Sequence, residues 1–574
     1  MTPSPPSPAF LEDVLLAVQD CPGLLVSRRR DLVSAVRRIA GLLDADPAHL
    51  PGSLVELRPR LNRVMPAAHG LSPKTWQNLR SNLTAAIKAA GGAGAPRRSR
   101  RSPAWQRLRA LLPNKRMQNG LARFLTYCDR EGVSPDQITD EIADRFAREL
   151  INSTLVTNPQ DLYRRVCRLW NEAVVAVDGW PQINLRLPDY RRPSTTVPLI
   201  DYPETFRQDL ERYLNWQSGR DLFAKNPPPD TWKPRTIDLQ RRLLTLAASA
   251  LVTGGHARDE IRHLSDLVIP ANVKQILRQY LPKDRGRIRV FAHSLATALI
   301  TMAQRWVKVT PEYLAELKEI RRRLGKPPSG LTRKNRDLLR ELADPAVRCR
   351  LFALPSTLAR QATSNKLRPQ RAATCFQLGL AVEILLHAPV RMHNLVSLQL
   401  DRNFYRPGGA RALWHLVLPE EDVKNGEPLE FELSSDLTRM LDRYLQKFRP
   451  FLQPGCSQSL FIVQGGSQKS QTTLSQQLTK VIAQHVGIHM TPHQFRHFDA
   501  KLMLEHNPGA YAAVGHFLGH RNPKTTVSFY TGIDTMTAGR HFDAILTAER
   551  SRTQLLAKRS GRARQRAEDR WRPL

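Results

Sequence analysis

The chain is poor in acidic residues and lacks long apolar runs. Of its 574 residues, 87 are Lys or Arg and only 52 are Asp or Glu, which gives a net charge of +35. So few carboxylates favour a polyanionic partner. No apolar run is long enough to span a bilayer, and the opening MTPSPPSPAF lacks the pattern of a signal peptide. We therefore expect a cytoplasmic protein that does not contact membranes.

Cysteine offers neither a disulfide framework nor a metal site. The six cysteines are scattered without any C-x-x-C pair, which is typical of reduced thiols inside the cell. Several histidines lie close together near the C-terminal end, but no cysteine or carboxylate pattern of zinc-ligand spacing accompanies them. We therefore predict that the protein uses no metal. These histidines are His493, His497, His506, His516 and His520.

Periodicity and breaks at proline and glycine predict a multidomain, mainly α-helical chain with a small antiparallel β-sheet. Strands are expected at 414–418 and 429–433, with Asn425-Gly426 between them as a type I′ hairpin turn. The predicted regions are a helical N-terminal domain (1–90), a basic linker (91–103), a helical SAM-like unit (104–198), a helical domain (202–324), a last domain (331–548) and a basic tail (549–574).

The stretch TPHQFRHFDAKLMLEH, residues 491–506, predicts a helix that carries polar residues on one side. Thr491 before Pro492 is a helix start, because the hydroxyl satisfies a free amide and proline needs no donor at that position. His493 and Arg496 are three residues apart, so we expect both to project from the same face. Alone, such a pair is more often a solvated helix face than a site.

Two further short helices are predicted downstream. Asn507-Pro508 is expected to open the first, which would stop at Gly519 and leave His520 in a turn. Asn522-Pro523 is expected to open the second, which carries Tyr530 near its end. The helices would therefore bring a histidine, an arginine, a second histidine and a tyrosine together.

The order H-x-x-R, L-G-H and T-T-x-x-x-Y resembles the catalytic end of the tyrosine recombinase (phage integrase) family. Upstream, VRMHNLVSL resembles the family's segment with its first catalytic arginine, here Arg391. Lys424, before the expected turn, stands where the family keeps its catalytic lysine. This chain has Asn394 where the family often has a glutamate, which affects how Arg391 is held. The resemblance covers the last domain well and the first 324 residues only loosely.

The resemblance implies how the phosphodiester would be attacked. Arg391 and Arg496 would bind the non-bridging oxygens, because a guanidinium stays charged and presents a planar fork of donors. Tyr530 would be the nucleophile and form a 3′-phosphotyrosyl bond. Taken singly, Tyr530 would more often be a core aromatic.

The remaining residues of the set would handle protons. Lys424 would protonate the leaving 5′ oxygen, His493 would serve the tyrosine, and His520 would donate to the phosphate. Lys424 taken singly would be an ordinary surface lysine. Neither a metal nor a nucleotide cofactor is required by such a scheme.

The implied partner is double-stranded DNA, bound by a homo-oligomer of two to four subunits, with accessory recombination proteins possible. In the family, a helical domain before the catalytic one clamps the duplex, and the predicted domain at 202–324 is the candidate for that role. The linker arginines Arg97, Arg98, Arg100 and Arg101 either follow DNA phosphates or are merely solvated. A bacterial-type location with the nucleoid would follow.

Two other classes stay open. A type IB topoisomerase-like enzyme would share the chemistry, but the L-G-H context and the additional helical units argue against it. A DNA-binding protein descended from a recombinase would keep the charge without the chemistry, and the complete set of polar residues argues against that. Integration, transposition and resolution are not distinguished by the sequence, nor is the target site.

Overall fold

The computed structural model describes residues 8–91, 101–190, 196–220, 223, 226–281, 290–325, 330–364, 366–423, 426–453, 455, 457–520, 526–527, 539, 542–543 and 545–551. The chain divides into two compact units, one formed by Met1–Pro188 with Arg333–Leu574 and the other by Asp189–Thr332. Both are mainly helical, as predicted, and the described strands form one three-stranded antiparallel sheet. The boundaries predicted for the individual domains stay predictions.

Two helical bundles make up the N-terminal part of the first unit. The first core is mainly aliphatic, whereas the second also contains seven aromatic residues. The ring centre of Trp170 lies 5.7 Å from that of Phe124 and 5.0 Å from that of Trp180. The first bundle contains α1 (Leu11–Gln19), α2 (Val26–Leu42), α3 (Leu54–Arg63) and α4 (Pro73–Ala90), and the second contains α5 (Pro103–Ala110), α6 (Lys115–Arg130), α7 (Asp140–Asn152) and α8 (Pro159–Ala176).

Hydrogen bonds join these bundles to each other. Arg58 of α3 donates to carbonyl groups at the end of α7, including those of Ile151 and Thr154, and Arg80 of α4 donates to the carbonyl of Leu155. Since a guanidinium offers five donors in a rigid fork, each arginine holds backbone that would otherwise lack a partner. The two bundles therefore have a fixed junction.

The second unit is a separate helical body with its own core. Its described helices are α9 (Glu204–Gln217), α10 (Pro234–Thr253), α11 (Pro270–Gln279), α12 (Val290–Met302) and α13 (Pro311–Arg323). A π-helical turn, Ala303–Val307, extends α12, and Lys308 ends it with a φ of 56°. No helix in the described part of the chain is long and apolar enough to cross a membrane.

The C-terminal part of the first unit surrounds α17, whose two sides are both buried. Its elements are α14 (Arg333–Glu341), α15 (Pro345–Phe352), α16 (Leu354–Thr363), α17 (Pro369–His387), α18 (Met392–Ser397), α19 (Leu400–Asn403), β1 (Phe404–Tyr405), β2 (His415–Leu418), β3 (Leu429–Glu432), α20 (Ser435–Arg443), α21 (Gln471–His485), α22 (Phe495–His506) and α23 (Tyr511–Phe517).

The sheet confirms the two predicted strands but not the turn between them. His415 pairs with Glu432 and Leu418 with Leu429, so residues 419–428 connect β2 to β3. This connection includes a 3₁₀ turn, Glu420–Asp422, and Gly426 takes a φ of 69° further along it. The connection is thus ten residues long rather than a two-residue turn at Asn425-Gly426, and Asn425 itself lies outside the described residues.

Candidate active site

The start of α22 is fixed by a capping arrangement around Thr491. Its amide and hydroxyl both donate to the side-chain oxygen of Gln494, at 2.8 and 3.0 Å, and Pro492 opens a 3₁₀ turn that leads into the helix. The side-chain amide of Gln494 in turn donates to the side-chain oxygen of Asn335 on α14, at 2.9 Å. The predicted helix start is thus confirmed, with a glutamine partner that anchors it to a neighbouring helix.

Arg496 lies in the first turn of α22 and is buried, with 4% of its surface exposed. Its guanidinium donates to the carbonyl of Pro389, just before α18, and to the carbonyl of Leu518, at the end of α23, both at 2.6 Å. A charge so deeply buried needs hydrogen-bond partners. These two hydrogen bonds orient the guanidinium and link α22 to the segments that contain Pro389 and Leu518.

A salt bridge holds the other end of α22. Glu505 accepts from Arg348 of α15 at 2.7 and 3.0 Å, and Lys501 lies 3.5 Å from the same carboxylate. Both contacts come from one guanidinium nitrogen of Arg348, and the pair is charge-assisted and mostly buried. The helix that carries Arg496 is therefore fixed at both ends.

His520 follows the left-handed Gly519, which has a φ of 61° and ends α23 as predicted. Its Nδ1 lies 2.9 Å from the hydroxyl of the fully buried Thr526, and its Nε2 lies 3.4 Å from Arg496. Since arginine can only donate, Nε2 must accept, and we assign the proton to Nδ1 on that basis. His520 thus faces the arginine as a neutral acceptor.

The start of this last helix differs from the prediction. Asn507 caps the end of α22, and α23 begins at Tyr511. Asn507 is extended, as residues before proline tend to be, and Gly509 turns the chain with a φ of 85°. Asn507-Pro508 therefore terminates one helix rather than opening the next.

Arg391 occupies the N-cap position of α18 and is half-buried. No described residue provides a hydrogen-bond or ion-pair partner for its guanidinium. Burial lowers its pKa, yet an arginine stays charged near neutral pH. Asn394 is buried one turn further along α18. Arg391 thus differs from Arg496 in having its donors available.

His493 lies on the 3₁₀ turn before α22, with its ring 5.5 Å from that of His497. Burial, then Arg496 and Arg391, lowers the pKa of His493, and the same causes lower the pKa of His520 to about 4. Both imidazoles are therefore neutral near pH 7. Arg496 lies 3.4 Å from His520 and bonds to the carbonyl of Pro389, two residues before Arg391. His493 is three residues before Arg496, so these four residues lie at one site.

Other predicted site residues lie outside the part of the chain that the structure describes. These are Lys424, Tyr530, Arg97, Arg98 and Arg100. Arg101 is described, and its guanidinium donates to the Thr126 hydroxyl at 2.7 Å and to the Ala122 carbonyl at 3.2 Å. That side chain is bonded to α6 rather than fully solvated.

Two residues of the site were missed by sequence reasoning. Asp499 is 5% exposed, burial raises its pKa well above the usual value, and its Oδ2 has no hydrogen-bond partner. It lies one helical turn from Arg496. The sequence did offer a signal for it, because an acidic residue on the apolar side of a helix is unusual. Thr526 was noticed only as part of the T-T-x-x-x-Y spacing, although its hydroxyl orients His520.

The described site is a cationic cluster at the start of α18, the start of α22 and the end of α23. Two guanidiniums and two neutral imidazoles suit a phosphate ester, since they supply positive donors together with groups that can accept a proton. Within the described residues, no group of three or more His, Cys, Asp and Glu side chains is arranged to hold a metal ion.

Residues 362–536 match the model of the phage integrase family. The matched segment contains Arg391, His493, Arg496 and His520, together with Lys424 and Tyr530. No curated protein matches the chain.

Solved structures of recombinases are similar only at a low level. XerA recombinase shares 16% identity, with 59% of this chain and 98% of that chain covered and a TM-score of 0.25. XerH bound to its difH substrate shares 13% identity, with coverages of 55% and 89% and a TM-score of 0.29. A lambda integrase tetramer bound to a Holliday junction shares 16%, with coverages of 56% and 76% and a TM-score of 0.33. TM-scores this low do not by themselves establish a common fold.

Proposed function

We propose that the protein is a site-specific DNA recombinase that cleaves and rejoins strands through a 3′-phosphotyrosyl intermediate. The observation that carries the proposal is the convergence of Arg391, Arg496, His493 and His520 within the phage integrase domain. In this scheme, Arg391 and Arg496 bind the non-bridging oxygens of the scissile phosphate. Negative charge grows on those oxygens in the transition state, so donors oriented in advance lower the barrier.

The nucleophile in this proposal is Tyr530. His493, neutral and solvent-accessible, takes the proton of the tyrosine hydroxyl as the oxygen attacks phosphorus. The bond to the 5′ oxygen breaks, and Lys424 gives that oxygen its proton. Rejoining is the reverse attack by a 5′-hydroxyl, so the phosphotyrosyl bond conserves the energy of the broken strand. No external energy source is needed.

His520 has two states in this scheme. Without DNA, its Nε2 accepts from Arg496 and its Nδ1 donates to Thr526. To donate to a phosphate, the ring must gain a proton or shift its proton from Nδ1 to Nε2. A bound phosphate favours either change. Its oxygens accept from Arg496 in place of the imidazole Nε2, so Nε2 can then carry a proton and donate.

Double-stranded DNA is the proposed substrate, and strand exchange requires several subunits on it. The net charge of +35 supports a polyanionic partner, and binding should weaken steeply with added salt. The lambda integrase structure noted above is a tetramer on a Holliday junction, which is consistent with a homo-oligomer of two to four subunits here. Accessory proteins and residence with the nucleoid remain expectations.

The test is a suicide DNA substrate, nicked so that the 5′-hydroxyl fragment diffuses away after cleavage. The DNA comes from the ends of the genetic element or locus that encodes the protein. We expect the wild-type chain to form a covalent adduct in the presence of EDTA and Tyr530→Phe to form none. Tyr511→Phe, which removes a hydroxyl from α23, is the matched control and should form the adduct.

Each other outcome identifies an alternative. An adduct that persists in Tyr530→Phe would mean that another tyrosine is the nucleophile. Tight, specific binding without any adduct would favour a DNA-binding protein that has lost the chemistry. Relaxation of supercoiled DNA without any exchange between two sites would favour a type IB topoisomerase-like enzyme.

A further inference from the structure

A large cleft separates the two N-terminal bundles, far along the chain from the candidate active site. It has a volume of about 1720 Å³ and lies between α2 and α4 on one side and α6 and α8 on the other. Pockets for small molecules usually measure roughly 300–1,000 Å³. A cleft of this size therefore fits part of a polymer better than a metabolite.

The cleft is strongly basic. Nine of its lining side chains are lysine or arginine, and only two are aspartate or glutamate. One of these two acids, Glu149, is already paired with Arg130, so it does little to offset the rest. An excess of this kind selects a ligand with repeated negative charge, such as a phosphate backbone.

Several of these cations have no partner among the described residues. Arg164, Arg165 and Arg168 lie on the exposed side of α8, and Arg123 is exposed on the adjacent α6. Across the cleft, Lys88 lies near the end of α4. No hydrogen bond or ion pair joins these side chains to any described residue, unlike Arg58 and Arg80 at the junction. Their donors are therefore available to a ligand.

An aromatic side chain lies among these cations. Trp76 of α4 is half-buried in the wall, and the Arg80 guanidinium lies 5.7 Å from its ring centre. Tyr127 of α6 also lines the cleft, with Arg130 at 5.4 Å. In a duplex the faces of the bases are stacked on each other, so an aromatic wall gains contact only from an unpaired strand.

We propose that this cleft binds single-stranded DNA, with its phosphates on the α8 arginines and a base against Trp76. The bonds from Arg58 and Arg80 hold the two walls in place, so the cleft is formed before the strand arrives. The binding site is separate from the phage integrase domain, and its occupation does not depend on the chemistry proposed for that domain.

The test measures binding of a labelled thymidine strand of about 20 nucleotides to the full-length protein by fluorescence anisotropy. In the cleft variant, Arg164, Arg165 and Arg168 are changed to alanine. In the control, Arg37, Arg38 and Arg148 are changed, which are exposed on the same bundles but do not line the cleft. We expect the cleft variant to bind roughly tenfold or more weakly and to lower the salt slope by about 2, at about 0.7 per lost contact.

Two further measurements locate the strand. Trp76→Ala should weaken strand binding roughly tenfold and leave binding to a duplex of the same sequence unchanged. A strand that carries iodouracil should cross-link on irradiation to peptides from α4, α6 or α8. The proposal fails if both triple variants weaken equally, if cross-links fall only within 362–536, or if duplex or an RNA strand binds the cleft more tightly than the DNA strand.

Discussion

The candidate active site and the cleft between the bundles both concentrate arginine, but they hold it differently. Arg496 is buried and donates to two backbone carbonyls. The α8 arginines, Arg164, Arg165 and Arg168, are exposed and unpartnered within the described residues. A guanidinium that is oriented before the ligand arrives can stabilise a transition state, because it needs no reorganisation during the reaction. Exposed arginines contribute to affinity and to its salt dependence.

The largest expected effect comes from Arg496→Lys. A lysine cannot reach both the Pro389 and Leu518 carbonyls, so the charge would lose its orientation. We expect the rate of adduct formation to fall by about 10²–10³, with little change in DNA affinity. Single-turnover cleavage of the suicide substrate measures the rate. Arg37→Lys, at an exposed position outside both sites, is the control and should cleave at the wild-type rate.

Stability separates the two arginines of the site from each other. Arg496→Ala would leave two carbonyls without their buried donor, so we expect a loss of about 1–3 kcal/mol in the free energy of unfolding. Arg391→Ala should change it by less than about 0.5 kcal/mol, because no described residue bonds to that side chain. Urea titration followed by circular dichroism measures both. Equal losses would contradict the difference inferred between them.

A smaller effect concerns pH. Burial, then His493, Arg496 and His520, lowers the pKa of His497 to about 4, whereas an unfolded histidine titrates near 6.5. The unfolded chain therefore binds more protons between those values, and stability should fall as the pH drops from 6.5 to about 4. Asp499 has the opposite sign, since its raised pKa favours the protonated native state.

Comparing variants at two pH values isolates the histidine. His497→Gln should lose less melting temperature between pH 7 and pH 5 than the wild type, because the titrating group is gone. His506→Gln, at the exposed end of the same helix, should behave like the wild type. A wild-type loss retained in full by His497→Gln would contradict the assignment.

The sequence was informative where chemistry is local. α22 starts after Thr491-Pro492 and α23 ends before Gly519, as expected, because capping and left-handed turns depend on adjacent residues. It misled where tertiary contacts decide. Asn507-Pro508 carries a start signal, yet the chain turns there. Nor does the sequence show that Arg496, predicted as a site residue, is buried. No spacing rule predicts that a carbonyl 107 residues upstream accepts from this arginine.

The same limit applies to Thr526 and Asp499, the two residues that sequence reasoning missed. The Thr526 hydroxyl lies 2.9 Å from His520, and Asp499 lies one turn from Arg496 on α22, but the sequence shows neither that bond nor the burial of that carboxyl. The bonds that join the two N-terminal bundles are likewise invisible to periodicity. The cleft between those bundles therefore became apparent only from the structure.

The bonds of Arg496 to the carbonyls of Pro389 and Leu518 also bear on how such a protein would age. If the proposed strand cleavage is its activity, a descendant that no longer needs it would still lose stability on losing Arg496, whereas it could lose Arg391 at little cost. The presence of Arg496 alone would thus be a poor indication that a related protein is catalytically active. In any survey of related genes, the state of Arg391 and Tyr530 should separate working copies from relics.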